Sequence, residues 1–263
     1  MQQDLLVRSA SSFVLIAIAG FAIVLGGFTA GLVVAALAII VYFEWAQVTR
    51  SPRISAIPTA IALGGAVLLV SVGMKLPGLA IAGLGILGAF MGGKWLAGGA
   101  LYASLFGLGL LLILSAPIHG VAALVFVLAI AAATDTAAYV AGRTFGGPKL
   151  APRLSPKKTW SGAIGGFLAA PIAGSIVAGL FSIPLTLGLI GTGAVLSVFS
   201  QAGDLFESWL KRRFRVKDSG SILPGHGGMM DRVDGLTFVV LGAIIIGSVR
   251  GGFGDIARGV LIW

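Results

Sequence analysis

Long apolar runs, separated by single charges or short polar segments, dominate the chain. A helix needs about 20 apolar residues to cross a bilayer, so each run predicts one transmembrane helix or two. The runs between charges are 9–43, 54–74, 76–93, 95–134, 159–203 and 235–249. The first, fourth and fifth can hold two helices each, with breaks expected near 26–31, 117–120 and 182–184. The pattern therefore predicts about nine transmembrane helices.

Two alternatives concern the ends of this pattern. The last run has only 15 residues, and the total becomes eight spans if that segment is re-entrant or interfacial. The first run leads directly into a second helix without a clear small-x-small cleavage site. We therefore expect an uncleaved first helix rather than a signal peptide.

Basic residues are distributed unevenly over the loops that nine spans would create. Fifteen of the 18 Lys and Arg residues fall on the side of the N-terminus and of the loops after spans 2, 4, 6 and 8. Cytoplasmic loops of membrane proteins carry such an excess, so we expect a cytoplasmic N-terminus. The net charge of +9 is explained by this bias or by an anionic substrate, and no nucleic-acid partner is expected.

Composition predicts the same fold class. Hydrophobic residues make up 57% of the 263 residues and charged residues only 10%, with a mean hydropathy of +1.05. Soluble domains average about 25% charged residues. The absence of cysteine excludes disulfides, thiolate nucleophiles and iron–sulfur clusters. We predict an all-α polytopic membrane protein with one integral domain over 1–263: scaffold helices in 1–130, functional motifs in 131–235, and the last span and tail in 236–263.

One carboxylate, Asp135, lies inside an apolar segment, with Tyr139 and Arg143 following on the same helical face. A carboxylate at membrane depth is costly and usually faces a cavity or a partner. Two interpretations remain open. Asp135 is either half of a structural pair with Arg143 or part of the wall of a polar substrate cavity.

A second polar group, 155–159, precedes the next apolar run. Ser155, Lys157, Lys158 and Thr159 combine two hydroxyls with two ammonium groups immediately before a predicted helix start. Helix N-termini bind phosphate through unpaired N–H groups, and lysine adds point charge. This segment is either an ordinary basic cytoplasmic loop or a phosphate site.

A polar stripe leaves the eighth predicted span. Asp204, Glu207, Ser208 and Lys211 are spaced so that they share one helical face. The stripe is either a solvated helix end or part of a polar site that faces back into the helical bundle, where solvation is poor.

Glycines and charges alternate between this stripe and the last span. Lys217, Gly227 and Gly228 are followed by Asp231, Arg232 and Asp234. Glycine permits close approach of a ligand to the backbone. Carboxylates beside phosphate-binding cations are typical of a site for Mg²⁺, which binds one or two carboxylates together with substrate phosphates.

These motifs together resemble the phosphatidate cytidylyltransferase (CDP-diacylglycerol synthase) family. The resemblance covers roughly residues 130–235, and its most specific part occupies 27 residues. That part reads Ser208-x-Leu210-Lys211-Arg212, Lys217-Asp218-x-Gly220, and Leu223-Pro224-x-His226-Gly227-Gly228-Met229-x-Asp231-Arg232-Val233-Asp234. Further matching segments are Asp135-Thr136-x-Ala138-Tyr139, Ser155-Pro156-Lys157-Lys158-Thr159-Trp160-x-Gly162 and Gly203-Asp204-Leu205-Phe206-Glu207-Ser208.

The resemblance implies a reaction in which CTP and phosphatidate give CDP-diacylglycerol and pyrophosphate with Mg²⁺. It implies a bacterial-type inner membrane, membrane lipids as surroundings, a homodimer as one possible assembly, and a cavity open to the cytoplasm. Asp204 and Asp231 match the metal-binding aspartates of the family, with or without a second cation. The remaining roles are hypotheses. Catalytic cations are Lys211 and Arg212; phosphate or nucleotide contacts are Ser155, Lys157, Lys158, Lys217, His226, Gly227, Gly228 and Arg232; supporting residues are Asp135, Tyr139, Glu207, Ser208 and Asp234.

Two other functions remain as alternatives. A CTP-dependent membrane lipid kinase would transfer the γ-phosphate and release a phosphorylated alcohol instead of a CDP-lipid. A cation-coupled transporter would use the intramembrane aspartates for solute flux without nucleotide turnover.

Overall fold

The computed structural model describes Gly20, residues 26–220, Ile222 and residues 227–263. Within these residues it contains nine helices and one two-stranded sheet. The helices are α1 (Gly27–Val48), α2 (Arg53–Ser71), α3 (Lys75–Met91), α4 (Lys94–Leu114), α5 (Gly120–Phe145), α6 (Trp160–Leu180), α7 (Leu187–Phe214), α8 (Met230–Gly251) and α9 (Ile256–Leu261). The strands are β1 (Lys149–Ala151) and β2 (Ser155–Thr159).

Eight of the nine predicted spans correspond to α1 to α8, and the first lies outside the described residues apart from Gly20. Seven of the described helices are long and apolar enough to cross a membrane. Among α1 to α8 the exception is α3, which has 17 residues. The last predicted apolar run lies within helix α8, which has 22 residues because it also includes the polar residues that precede the run. The prediction of an all-α polytopic membrane protein is confirmed, while the side of the N-terminus stays a prediction.

The chain divides into two compact units, which do not follow the sequence order. Unit 1 comprises Met1–Ser115 and Arg213–Val233, and unit 2 comprises Ala116–Arg212 and Asp234–Trp263. Unit 1 therefore contains the whole segment between α7 and α8, while most of both helices belongs to unit 2. The functional motifs are divided between the units.

In unit 1, α4 is the central helix, because it packs against α1, α2 and α3 and is the most buried of the candidate spans. The indole of Trp45 on α1 is buried and donates a hydrogen bond to the carbonyl of Trp95 at 2.8 Å. Gly99 faces this indole at a point where a Cβ would overlap the ring. Small residues thus let an aromatic side chain fix the spacing between α1 and α4.

In unit 2, α5 and α6 cross at very short distance through small residues. A Cβ at Gly162 would lie 2.7 Å from the carbonyl oxygen of Ala138, and one at Gly166 would lie 2.8 Å from that of Thr134. Glycines spaced by four residues allow such backbone contact between membrane helices. The crossing fixes the start of α6 against the part of α5 that carries Asp135.

An antiparallel hairpin joins α5 to α6, where the sequence had indicated an irregular loop. Lys149 pairs with Thr159 and Ala151 with Ser155. The helix start predicted directly after Thr159 is confirmed, since the Thr159 hydroxyl accepts a hydrogen bond from the N–H of Gly162 at 3.1 Å and caps α6. The strand and the cap together fix the positions of the two lysines that precede the helix.

Candidate functional site

An ion pair lies at the centre of the polar part of unit 2. The ammonium Nζ of Lys158 on β2 is 2.5 Å from Oδ2 of Asp204 on α7. Both side chains keep a little over a quarter of their surface exposed. The ammonium nitrogen itself is buried, and the pair brings the basic segment 155–159 to the polar stripe of α7.

A second carboxylate meets Asp204 from α8. Asp234 is 7% exposed, and its side chain forms a hydrogen bond with that of Asp204. The approach of the helices requires Gly203, because a Cβ there would overlap the carbonyl of Asp234. Two carboxylates in contact repel each other unless a proton or a cation lies between them. Lys158 supplies part of the positive charge that this pair needs.

Two further acidic groups extend the cluster. Asp135 on α5 interacts electrostatically with Asp204 and Lys158, and Glu207 on α7 does so with Asp234. Glu207 is 3% exposed and its Oε2 lies 2.5 Å from the ammonium of Lys211. A solvated helix end does not describe this stripe. We define Asp135, Lys158, Asp204, Glu207, Lys211 and Asp234 as the charge cluster.

The other predicted residues of unit 2 lie around this cluster without a described contact to it. Arg143 donates to the hydroxyl of Tyr139 at 2.8 Å on an exposed face, which favours the cavity-wall interpretation of Asp135 over the Asp–Arg pair. Arg212 is exposed and its Nε donates to the carbonyl of Leu154 at 3.4 Å. Ser155 and Ser208 are partly buried, and Lys157 is exposed.

In unit 1, Asp231 organises the segment between α7 and α8. Its carboxylate accepts hydrogen bonds from the N–H of Ser219 at 3.1 Å and from that of Gly228 at 3.0 Å. We call residues 215–220, 222 and 227–229 the signature loop; residues 221 and 223–226 lie outside the described residues, as does the predicted contact of His226. Lys217 and Arg232 are exposed, and Gly227 has a φ of +84°. The assignment of Asp231 as a metal ligand stays a prediction.

Sequence reasoning missed a buried carboxylate in unit 1, Glu44 of α1. It is 2% exposed and accepts hydrogen bonds from the N–H groups of Met229 at 2.9 Å and Met230 at 2.7 Å. The hydroxyl of Ser219 also contacts it, at 3.3 Å. The available signal was a single acid at the end of an apolar run, which is costly without partners.

The donor set of the charge cluster fits Mg²⁺. Among the described residues, no three Asp, Glu or His side chains converge as ligands of one metal ion. Asp204 and Asp234 provide two carboxylates in contact, and Asp204 is partly exposed. Mg²⁺ is commonly held by one or two carboxylates and completed by water and substrate phosphates. Two carboxylates are therefore the number that a protein commonly contributes to such a site.

Comparison with known proteins places the chain in a family. The sequence model of the cytidylyltransferase family matches residues 6–249. The chain is 41% identical over 222 residues to the phosphatidate cytidylyltransferases of Brucella suis biovar 1 (strain 1330) and Brucella melitensis biotype 1, with 81% of this chain and 82% of each relative covered. That of Rickettsia conorii is 44% identical over 116 residues, or 41% of this chain and 50% of the relative. The chain belongs to the cytidylyltransferase family and is a membrane nucleotidyltransferase, which confirms the resemblance that its motifs predicted.

Proposed function

We propose that this protein transfers the cytidylyl group of CTP to phosphatidate, giving CDP-diacylglycerol and pyrophosphate for phospholipid synthesis. The observation that carries the proposal is the charge cluster, in which Lys158 pairs with Asp204, Lys211 pairs with Glu207, and Asp234 contacts Asp204. The names of the Brucella relatives support the choice of both substrates. A site at helix ends suits one substrate that is a lipid and another that is dissolved in water.

The reaction is an in-line displacement at phosphorus. A phosphate oxygen of phosphatidate attacks the α-phosphorus of CTP, and the bond to the β-phosphate bridge breaks to release pyrophosphate. The attacking oxygen is already anionic, so little base catalysis is required. The main obstacle is repulsion among several negative charges, and fixed cations with a preorganised geometry reduce it. Lys158 and Lys211, each held by a carboxylate, are placed to do this.

Asp204 and Asp234 are the residues that would hold Mg²⁺. When bound, the ion neutralises phosphate charge and withdraws electrons from the reacting phosphorus. The chain itself holds the two carboxylates together through the close contact at Gly203 and orients Lys158 through the strand β2.

We place the protein in a bacterial inner membrane with its site open to the cytoplasm. The bacterial origin of the relatives supports the membrane, and the basic residues on one side of the predicted spans support the orientation. CTP is a cytoplasmic nucleotide, so this orientation gives it direct access.

A direct assay tests the function. Purified protein in detergent is incubated with CTP labelled on the α-phosphate or base, phosphatidate and Mg²⁺, and the lipid fraction is separated. Labelled CDP-diacylglycerol and free pyrophosphate are expected. Omission of the divalent ion should stop the reaction. In a parallel incubation with CTP labelled on the γ-phosphate, a labelled phosphorylated lipid would indicate the kinase. No product with any divalent ion would overturn the proposal.

A further inference from the structure

Glu44 is the buried acid of unit 1, at the cytoplasmic end that we predict for α1. Its side chain is almost fully removed from solvent, at 2% exposed, and the described contacts that reach it come from the signature loop and the start of α8. A buried carboxylate is stable only when hydrogen bonds or cations replace its hydration. Here two backbone N–H groups and one hydroxyl do so.

These contacts cap the N-terminus of helix α8. The N–H groups of Met229 and Met230 are among those that a helix N-terminus leaves without an internal partner. Both of their acceptors are oxygens of Glu44, one on each N–H. A carboxylate in this position also meets the positive end of the helix dipole. Glu44 therefore acts as a capping group that is supplied from about 185 residues away in sequence.

The glycines of the signature loop are shaped to this carboxylate. A Cβ at Gly220 would lie 2.7 Å from Oε1 of Glu44, and a Cβ at Gly228 would lie 2.7 Å from Oε2. At Gly228 the same Cβ would also overlap Ser219 and the N–H of Gly220. At both of these motif glycines, therefore, a side chain would overlap Glu44.

A second carboxylate holds the loop from its other side. Asp231 accepts from the N–H groups of Ser219 and Gly228. The N–H groups at 219 and 228–230 are therefore directed to protein carboxylates. At these four positions a phosphate would have to be met by side chains, and Lys217 is an exposed cation of the loop.

We propose that Glu44 is a positioning residue that fixes the signature loop, so that Lys217 is held in place for the phosphates of the nucleotide. The part about the nucleotide rests on the proposed function, whereas the fixing of the loop does not. Glu44 itself touches no substrate in this scheme. Its effect passes through the backbone N–H groups of Met229 and Met230 and through the hydroxyl of Ser219.

Loop order can be measured without any reaction. The chain has no cysteine, so Ile222→Cys, at a position 53% exposed in the loop, gives a single site for a spin label. In the Glu44→Gln background we expect a clearly more mobile spectrum, because the amide offers one acceptor oxygen and turns its NH₂ toward N–H donors. Gln47→Ala, at an exposed position of α1, is the matched control and should leave the spectrum unchanged.

Kinetics then separate positioning from folding. Glu44→Gln should raise the KM for CTP about tenfold and lower kcat much less, as expected for loss of hydrogen bonds to a charged acceptor. Ser219→Ala removes one contact and should raise this KM about threefold. Glu44→Asp, which keeps the charge, should recover part of the loss. Gln47→Ala should match the unmodified protein in both constants.

The outcomes are decisive in each case. An unchanged spectrum together with an unchanged KM for CTP in folded Glu44→Gln would overturn the proposal. If Glu44→Gln does not fold, a normal spectrum and KM in Ser219→Ala would overturn it instead. A mobile loop in a protein that makes no CDP-diacylglycerol even in its unmodified form would refute the proposed function and leave the fixing of the loop intact.

Discussion

Two glutamates in the two units are almost equally buried, yet they are neutralised in different ways. Glu44 of unit 1 is 2% exposed and accepts from backbone N–H groups, while Glu207 of unit 2 is 3% exposed and pairs with the ammonium of Lys211. Backbone N–H groups cannot leave, so they make a permanent attachment. An ammonium on a flexible side chain can exchange one anion for another. Unit 1 therefore uses its buried acid to fix a loop, and unit 2 uses its acids to hold mobile cations.

The largest effect is expected where carboxylates meet carboxylates. Asp204→Asn should lower the rate of CDP-diacylglycerol formation about a thousandfold or more, since it removes the carboxylate that we propose as a metal ligand and that pairs with Lys158. The protein should remain folded by size-exclusion chromatography. Asp255→Asn is the control, because asparagine can still cap α9 as Asp255 does. Full turnover in Asp204→Asn would remove the distinction between the two units.

Replacement of Lys158, the cation that pairs with Asp204, should have the next largest effect. Lys158→Met keeps the length of the side chain and loses the charge, so we expect turnover to fall about a hundredfold, in the range of other lost transition-state contacts. Lys149→Met changes an exposed lysine of the same hairpin and should leave turnover unchanged. Equal effects of the two substitutions would mean that total charge, rather than the position at Asp204, is what matters.

The ion pair between Glu207 and Lys211 should contribute less to the free energy of unfolding than the hydrogen bonds that Glu44 accepts. A double-mutant cycle of Glu207→Gln with Lys211→Met is expected to give a coupling free energy of about 1 kcal/mol, because Lys211 is partly exposed and can be solvated. Glu44→Gln should lower the free energy of unfolding by about 2 kcal/mol, since its donors are buried backbone groups. Denaturant unfolding in detergent measures both, and the reverse order would contradict the comparison.

The smallest effect is expected at Thr159, which ends the hairpin and caps α6. Thr159→Ala removes the acceptor for the Gly162 N–H and should lower the free energy of unfolding by about 1 kcal/mol. Thr159→Ser keeps the acceptor and should restore most of it. Turnover should follow the same order, because β2 presents Lys158. A loss of activity without any change in stability would instead indicate a direct role of the hydroxyl.

The spans and most of the charge cluster could be predicted, because both depend on local patterns. Apolar runs determine the helices, and the spacing of Asp204, Glu207 and Lys211 places them on one face. Lys158 was predicted to bind phosphate, but its pairing with Asp204 depends on a hairpin. Strand β2 contains a proline and two lysines, so no alternation of apolar residues announces it.

Glu44 shows why other features could not be predicted. Its principal partners are backbone N–H groups about 185 residues away, and a backbone group has no side chain that the sequence could reveal. The same holds for Asp231, whose two described donors are backbone N–H groups as well. Side-chain chemistry suggested metal for Asp231, and only the folded loop reveals its additional attachment.

The hairpin makes the directions of two neighbouring lysines, Lys157 and Lys158, depend on their distance in sequence from the helix cap. Successive side chains of a strand point to opposite sides, so Lys158 reaches Asp204 while Lys157 is directed elsewhere and is exposed. Insertion of one residue between Lys158 and the capping Thr159 would exchange their directions and bring the wrong lysine to the carboxylates. Among related proteins, the length of this segment should therefore vary less than the identity of its side chains. Alignments should keep a lysine at the position immediately before the capping residue, separately from the lysine that precedes it.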